Sequence, residues 1–179
     1  MATERWTNEE GKALTLRPLV PADFDIAREA LRRLSPRSRY LRFFIRAWKP
    51  NDERLRKTVD PDPKLAHALI VTAEDAGREI AVGAGQFFVV APGDRAEFAL
   101  LLADEWQGSG IGTRMLRALV DEARRRGLRE LFGEILAGNA AMLALARKVG
   151  FSVTPHPGDR GIRVASLALA PGSDPGSES

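Results

Sequence analysis

The sequence predicts a mixed α/β fold in which one central sheet carries helices on both faces. Three observations predict it. Apolar residues alternate or run together in short stretches at 13–19, 67–73, 79–90, 96–102, 131–136 and 162–169, as strands do. Between them Phe24, Ala27, Leu31 and Leu34 recur at helical spacing, as do Ile111, Met115, Leu116, Leu119, Val120 and Ala123. The order is a strand, helices, three strands, then helix, strand, helix, strand, and that alternation calls for a sheet covered on both sides.

Each element has its own signals. Residues 13–19 alternate as a strand that Pro18 and Pro21 stop. Pro21-Ala22-Asp23 opens a helix, since proline is preorganised for a first turn. Ser35-Pro36 ends it and opens a second, short helix containing Tyr40, Phe43 and Phe44. The polar stretch 49–64 holds Pro50, Pro61 and Pro63, with one more helix expected over 52–59. Glu74-Asp75-Ala76-Gly77 and Ala91-Pro92-Gly93-Asp94 are the turns around the strand 79–90. Residues 96–102 are almost wholly apolar, the pattern of a strand buried on both faces. Arg124-Arg125-Arg126 suits the C-terminal end of the long helix, and Gly127 closes it. Asn139 is placed to cap a helix over 139–149, which Gly150 ends with Phe151 as its hydrophobic follower. The predicted organisation is a single domain over 1–170 and a disordered Pro/Gly/Ser tail over 171–179.

Composition narrows the chemistry. With 44% hydrophobic and 28% charged residues, the chain is globular rather than disordered or collagenous. No apolar run approaches the roughly 20 residues of a membrane span, and the first residues lack the apolar core of a secretory signal. A cytoplasmic protein without membrane association is expected. The absence of Cys excludes disulfides, thiolate metal sites and Cys nucleophiles. His67 and His156 stand alone, so no metal is expected. Carboxylates, hydroxyls, backbone amides or a bound cosubstrate must supply the chemistry. The formal net charge is +3, yet residues 28–49 hold eight basic residues against one acid, Glu29. That stretch suits an acidic protein surface, a phosphorylated ligand or nucleic acid, or is a solvated helix face. No zinc-finger, basic-zipper or RRM aromatic motif accompanies it, so nucleic acid is not expected as a partner.

The informative stretch is Gln107-Gly108-Ser109-Gly110-Ile111-Gly112, between a buried strand and a strong amphipathic helix. Glycines before a helix N-terminus let backbone amides converge on an anion, which points to a phosphate or pyrophosphate, or else the glycines only make a tight connection. A Walker loop needs Gly-Lys-Ser/Thr, whereas Gly112 precedes Thr113 here. A Rossmann fingerprint would sit in the first strand-helix unit, and this one does not.

These residues resemble a known family. Gln107, Gly110 and Gly112, read as Gln-x-x-Gly-x-Gly after the strand 96–102, resemble the acyl-CoA pyrophosphate loop of GNAT-type N-acetyltransferases. Asn139, opening a helix that ends Lys148-Val149-Gly150-Phe151, resembles that superfamily's second CoA motif. More narrowly, residues 34–44 (LSPRSRYLRFF), 96–99 and 133–136 resemble the acetyltransferase domain of bacterial Pat-type protein lysine acetyltransferases. The extra regulatory domains common in that group do not fit in this length, so their regulation is not carried over.

The resemblance implies a GNAT-like, mostly antiparallel sheet and acetyl-CoA as cosubstrate. Amides of Leu102 and Ala103 would pair with the pantetheine arm. Those of Gly108, Ser109, Gly110, Ile111, Gly112 and Thr113 would hold the pyrophosphate, with Gln107 in the same loop. Asn139 would reach the CoA arm or serve only as a helix cap, and Arg147 or Lys148 would meet a phosphate or face solvent. Glu97 matches the position of the usual general base; otherwise it reaches solvent or pairs with an Arg such as Arg95. Glu134, on the adjacent strand, is the second candidate. Many members place a Tyr where this chain has Ala146, and the only tyrosine, Tyr40, is remote in sequence, so no general acid is assigned. The expected activity is acetylation of a protein lysine. The alternatives are a small or N-terminal amine as acceptor, or a CoA-binding sensor without catalysis, and a homodimer is compatible with each.

Overall fold

The computed structural model describes residues 3–44 and 51–169. The predicted tail over 171–179 lies outside the described residues, as do Arg46 and Lys49 of the basic stretch. Eight strands form one sheet: β1 (Glu4–Thr7), β2 (Ala13–Pro18), β3 (Ala66–Asp75), β4 (Arg78–Val90), β5 (Arg95–Leu102), β6 (Glu130–Leu136), β7 (Ser152–Pro155) and β8 (Ile162–Ala168). The helices are α1 (Phe24–Arg33), α2 (Pro36–Phe43), α3 (Asp52–Val59), α4 (Ile111–Arg125) and α5 (Ala140–Val149). Strand order is β1-β2-β3-β4-β5-β6-β8-β7, antiparallel throughout except for β5 beside β6. That parallel step needs a crossover, which α4 provides.

Core residues occupy both faces, as expected for helices on both sides. The larger core packs Leu14, Leu69, Val71 and Phe87 of the sheet against Ile111, Met115, Leu116 and Leu119 of α4, all essentially inaccessible. The smaller core joins Ala27 of α1 and Leu55 and Val59 of α3 to Leu19, Ala68 and Ile70. Helix ends follow the sequence signals. Ser35 Oγ accepts the Ser38 amide at 3.1 Å to start α2, and Asn51 Oδ1 accepts that of Arg54 at 2.9 Å to start α3. Asn139 Oδ1 accepts the Met142 amide at 3.2 Å to start α5, and Gly150 ends that helix at φ 107°.

Two strands had no signal. β1 and β7 are four-residue edge strands whose order comes from pairing with β2 and β8. The Arg114 guanidinium ties β1 down by pairing with Glu4 and lying 4.9 Å from the Trp6 ring centre. The first predicted turn is tighter than expected. Glu74 and Asp75 remain in β3, so only Ala76 (φ 49°) and Gly77 (φ 76°) make the hairpin bend.

One buried ion cluster closes the C-terminal end of α4. Glu122 is almost inaccessible and accepts Arg125 Nε and Nη2 at 2.9 and 2.6 Å and Arg126 Nε at 2.8 Å. Burial pushes its carboxyl up, but those hydrogen bonds outweigh it and hold the pKa at about 2. Arg126 also donates to the Pro63 and Ala66 carbonyls and contacts His67 Nδ1 at 3.2 Å. Burial lowers the His67 pKa to about 4, so its ring is neutral at ordinary pH.

Candidate active site

β5 and β6 pair only from Arg95 to Glu97, opposite Glu130 to Phe132, and diverge beyond that point. Gly133 permits the close approach there, because a Cβ would stand 2.8 Å from Phe98 Cε1 and 3.0 Å from the Phe98 carbonyl oxygen. The opening leads into a groove of about 650 Å³ bounded by α2, β5, β6, the glycine loop and α5. Glu97, Leu102, Gln107, Gly108, Gly110, Gly112, Thr113, Glu134 and Asn139 all line it, so most of the predicted site comes together.

Backbone alternation decides which β5 amides face the gap. The Ala103 amide donates to the Val82 carbonyl at 2.9 Å, so residues of its parity point their polar groups at β4. Ala103 is therefore corrected: its one N–H is already used, and the amides facing the opening are those of Leu100 and Leu102. Thr113 is corrected likewise, since its amide donates to the Gly110 carbonyl at 3.1 Å. The amides of Gly108, Ser109, Gly110, Ile111 and Gly112 find no acceptor among the described residues. Gly108 and Gly110 adopt φ 78° and 80°, which turn those amides outward at the positive end of α4. This cluster of unpaired donors fits a pyrophosphate.

Side chains of the loop serve the protein. Ile111 is fully buried in the core, and Ser109 Oγ donates to the Trp106 carbonyl at 2.5 Å. Gln107 Nε2 reaches Ser38 Oγ and the Leu102 carbonyl, both at 3.4 Å, and so bridges β5 to α2. Asn139 spends its Oδ1 on the α5 cap while its side chain still borders the groove. Lys148 lines the groove as well, and Arg147 does not. Ala146 is fully buried rather than facing the groove, and Tyr40 does not line it either.

Glu97 opens onto the groove on the same sheet face as Ala99 and Leu101. Burial raises its carboxyl above the ordinary range, the Glu134 charge raises it further, and Arg42 of α2 pulls the other way. Arg95 does not pair with Glu97: it binds Glu130 at 2.5 Å and lies over Phe132. Glu134 faces His156, whose Nε2 is 3.5 Å from Oε1. His156 Nδ1 accepts the Gly158 amide at 3.1 Å, so in the neutral ring the proton sits on Nε2, toward Glu134.

Sequence reasoning missed what anchors α2 over the site. Asp104 accepts Ser38 Oγ at 2.7 Å, Ser35 Oγ at 2.9 Å and the Ser35 amide at 3.1 Å. Burial raises the Asp104 carboxyl, but these bonds outweigh it and hold the pKa below the ordinary range. Ser35-Pro36 was legible as a helix start, but nothing local points to a partner some seventy positions away. Among the described residues, no three His, Cys, Asp or Glu side chains cluster as a metal site would require.

The family model of the acetyltransferase (GNAT) domain matches residues 13–152. An acetyltransferase of Pseudomonas aeruginosa is 29% identical over 161 residues, covering 90% of this chain and 87% of its own length. The GNAT domain of S. lividans PAT superimposes with a TM-score of 0.81 at 22% identity, covering 93% and 97% of the two chains. RimL, a ribosomal L7/L12 alpha-N-protein acetyltransferase solved with coenzyme A, superimposes at 0.70 with 17% identity, covering 87% and 94%. The chain belongs to the GNAT acetyltransferase family, and its fold and class of chemistry are those of that family.

Proposed function

We propose that this chain moves an acetyl group from acetyl-CoA to a primary amine, the ε-amine of a protein lysine, by direct attack with Glu97 as general base. The observation that carries the reading is the position of Glu97 and Glu134 at the parting of β5 and β6, in one groove with the unpaired glycine-loop amides. The loop amides hold the pyrophosphate, and the amides of Leu100 and Leu102 take the pantetheine arm as an added strand. A β5 amide then polarises the thioester carbonyl.

An amine of pKa about 10.4 is almost wholly protonated at neutral pH and cannot attack in that form. Glu97 accepts its proton, directly or through water. The N–C bond forms, the C–S bond breaks, and CoA leaves as thiolate. No tyrosine among the described residues lines the groove, and the modest basicity of a thiolate lets it depart and take its proton from water. The lysine assignment draws its support from the resemblance of residues 34–44, 96–99 and 133–136 to Pat-type enzymes. No helix of the described residues is long and apolar enough to cross a membrane, and we place the reaction in the cytoplasm.

Incubation with acetyl-CoA and cell extract tests the reading, with mass spectrometry of both lysines and small amines. Because the chain has no cysteine, released CoA thiol can be read without background from the enzyme. Acetyl-CoA binding without turnover on any amine would leave only the CoA-binding module.

A further inference from the structure

The acceptor side of the site shows what flanks the amine, given the acetyl-transfer reading above. A second cavity of about 240 Å³ lies beneath α1 and α3 on the Glu97 face of the sheet, with apolar walls that include Leu31, Leu34, Leu55 and Ile70. Arg42, Phe43, Ala99 and Leu101 line both this cavity and the CoA groove, so the two spaces meet there.

Arg42 differs from Arg28, Arg33 and Arg39 in lining this junction with its donors unused. Arg28 pairs with Asp52 at 3.1 Å, Arg33 with Glu29 at 3.8 Å, and Arg39 donates to the Arg32 carbonyl at 2.8 Å. Arg42 packs its guanidinium 4.9 Å from the Phe43 ring centre and makes no hydrogen bond to any described residue. Burial lowers its pKa to about 10, with the Glu97 charge in partial compensation. A half-buried guanidinium that lines both spaces with its donors unused can recognise a carboxylate in two-pronged fashion.

We propose that the acceptor carries a carboxylate and an apolar group beside the amine it offers. Arg42 takes the carboxylate, Glu97 the proton of the amine, and the cavity the apolar group. That chemistry comes from two sources: acidic and apolar side chains next to a protein lysine, or the α-carboxylate and side chain of a free amino acid.

Two acceptor sets distinguish the sources, each read by CoA-thiol release at fixed acetyl-CoA. The first compares free leucine, methionine and phenylalanine with their carboxamides. The second compares peptides holding Asp and Leu beside a lysine with the same peptides holding Asn and Ser. In one set, loss of the carboxylate should raise KM about ten- to a hundredfold, the weight of a charge-assisted hydrogen bond. Arg42→Gln should erase that preference, Arg42→Lys should keep part of it, and acetyl-CoA affinity should hold in both. Ala30→Leu, which fills the cavity from α1, should erase the preference for the apolar group. The proposal is overturned if neither set shows a carboxylate preference, or if the preference survives in folded Arg42→Gln. Acetyl-CoA binding with no acetylation in either set or in extract overturns the acetyl-transfer reading itself, a distinct result.

Discussion

Replacing Glu97 by Gln keeps the shape of the side chain and removes only its capacity to accept a proton. General-base assistance accounts for about 10² to 10⁴ in rate, or roughly 3–5 kcal/mol of barrier, and kcat should fall within that range. Acetyl-CoA affinity should stay near normal, because the pyrophosphate amides lie in the glycine loop at the other end of the groove. The residual rate should track the neutral amine. For pKa 10.4 that fraction is about 0.4% at pH 8 and about 9% at pH 9.4, so the variant should recover roughly 20-fold across this interval. The wild-type enzyme should gain much less. The acidic limb of the wild-type kcat/KM profile should lie above the ordinary carboxylate range, because burial and Glu134 raise the Glu97 carboxyl. Glu134→Gln should move that limb to lower pH, and Arg42→Gln should move it to higher pH. Steady-state kinetics from pH 5 to 9.5 measures all of these. If Glu97→Gln retains near wild-type kcat while Glu134→Gln shows the loss and the recovery with pH, the base is Glu134. If both singles and the double keep full activity, a carboxylate base is wrong.

Three further outcomes follow from the geometry. Gly110→Ala with Gly112→Ala should abolish the thermal stabilisation given by acetyl-CoA. A Cβ at φ 80° strains the loop by about 1–2 kcal/mol, and one at Gly112 stands 3.1 Å from Leu145; unchanged calorimetric affinity in a folded variant would remove the loop from the site. Glu122 is buried and its pKa falls from 4.5 to about 2, so at 1.36 kcal/mol per pH unit it contributes about 3 kcal/mol to stability. A depressed carboxyl stabilises above its unfolded pKa, so this contribution is complete at neutral pH and disappears as pH falls from about 4.5 toward 2. Urea titrations of wild type and Glu122→Gln should differ at pH 7 and converge in acid, and parallel curves would refute the assignment. Asp104→Ala should release the start of α2 at a cost of about 1 kcal/mol; hydrogen exchange should show faster opening of α2 with α5 unaffected, and equal protection of α2 would show that the clamp contributes nothing.

The sequence by itself determined the elements whose information is local. Amphipathic spacing defined α1 and α4, Ser35-Pro36 and the cap Asn139 began their helices, and the apolar run of β5 marked a strand. Its Glu97, Ala99 and Leu101 face, however, opens onto the groove instead of being buried. The glycine loop was legible because closely spaced glycines before a helix allow the positive φ that Gly108 and Gly110 adopt. Tertiary structure decided what depends on partners distant in the chain. β1 and β7 are too short and too polar to declare themselves, and exist because a neighbouring strand offers free hydrogen-bonding groups. The register of β5 on β4 decides that Leu100 and Leu102, rather than Ala103, turn their amides to the gap. The basic stretch read as one patch, but folding pairs Arg28 with Asp52 and Arg33 with Glu29 and sets Arg42 apart at the mouth of a cavity. Glu97 and Glu134 were candidates from their places on two neighbouring strands and from the family resemblance. The parting of β5 from β6 beyond Glu97 and Phe132 places both carboxylates in one groove with the glycine loop.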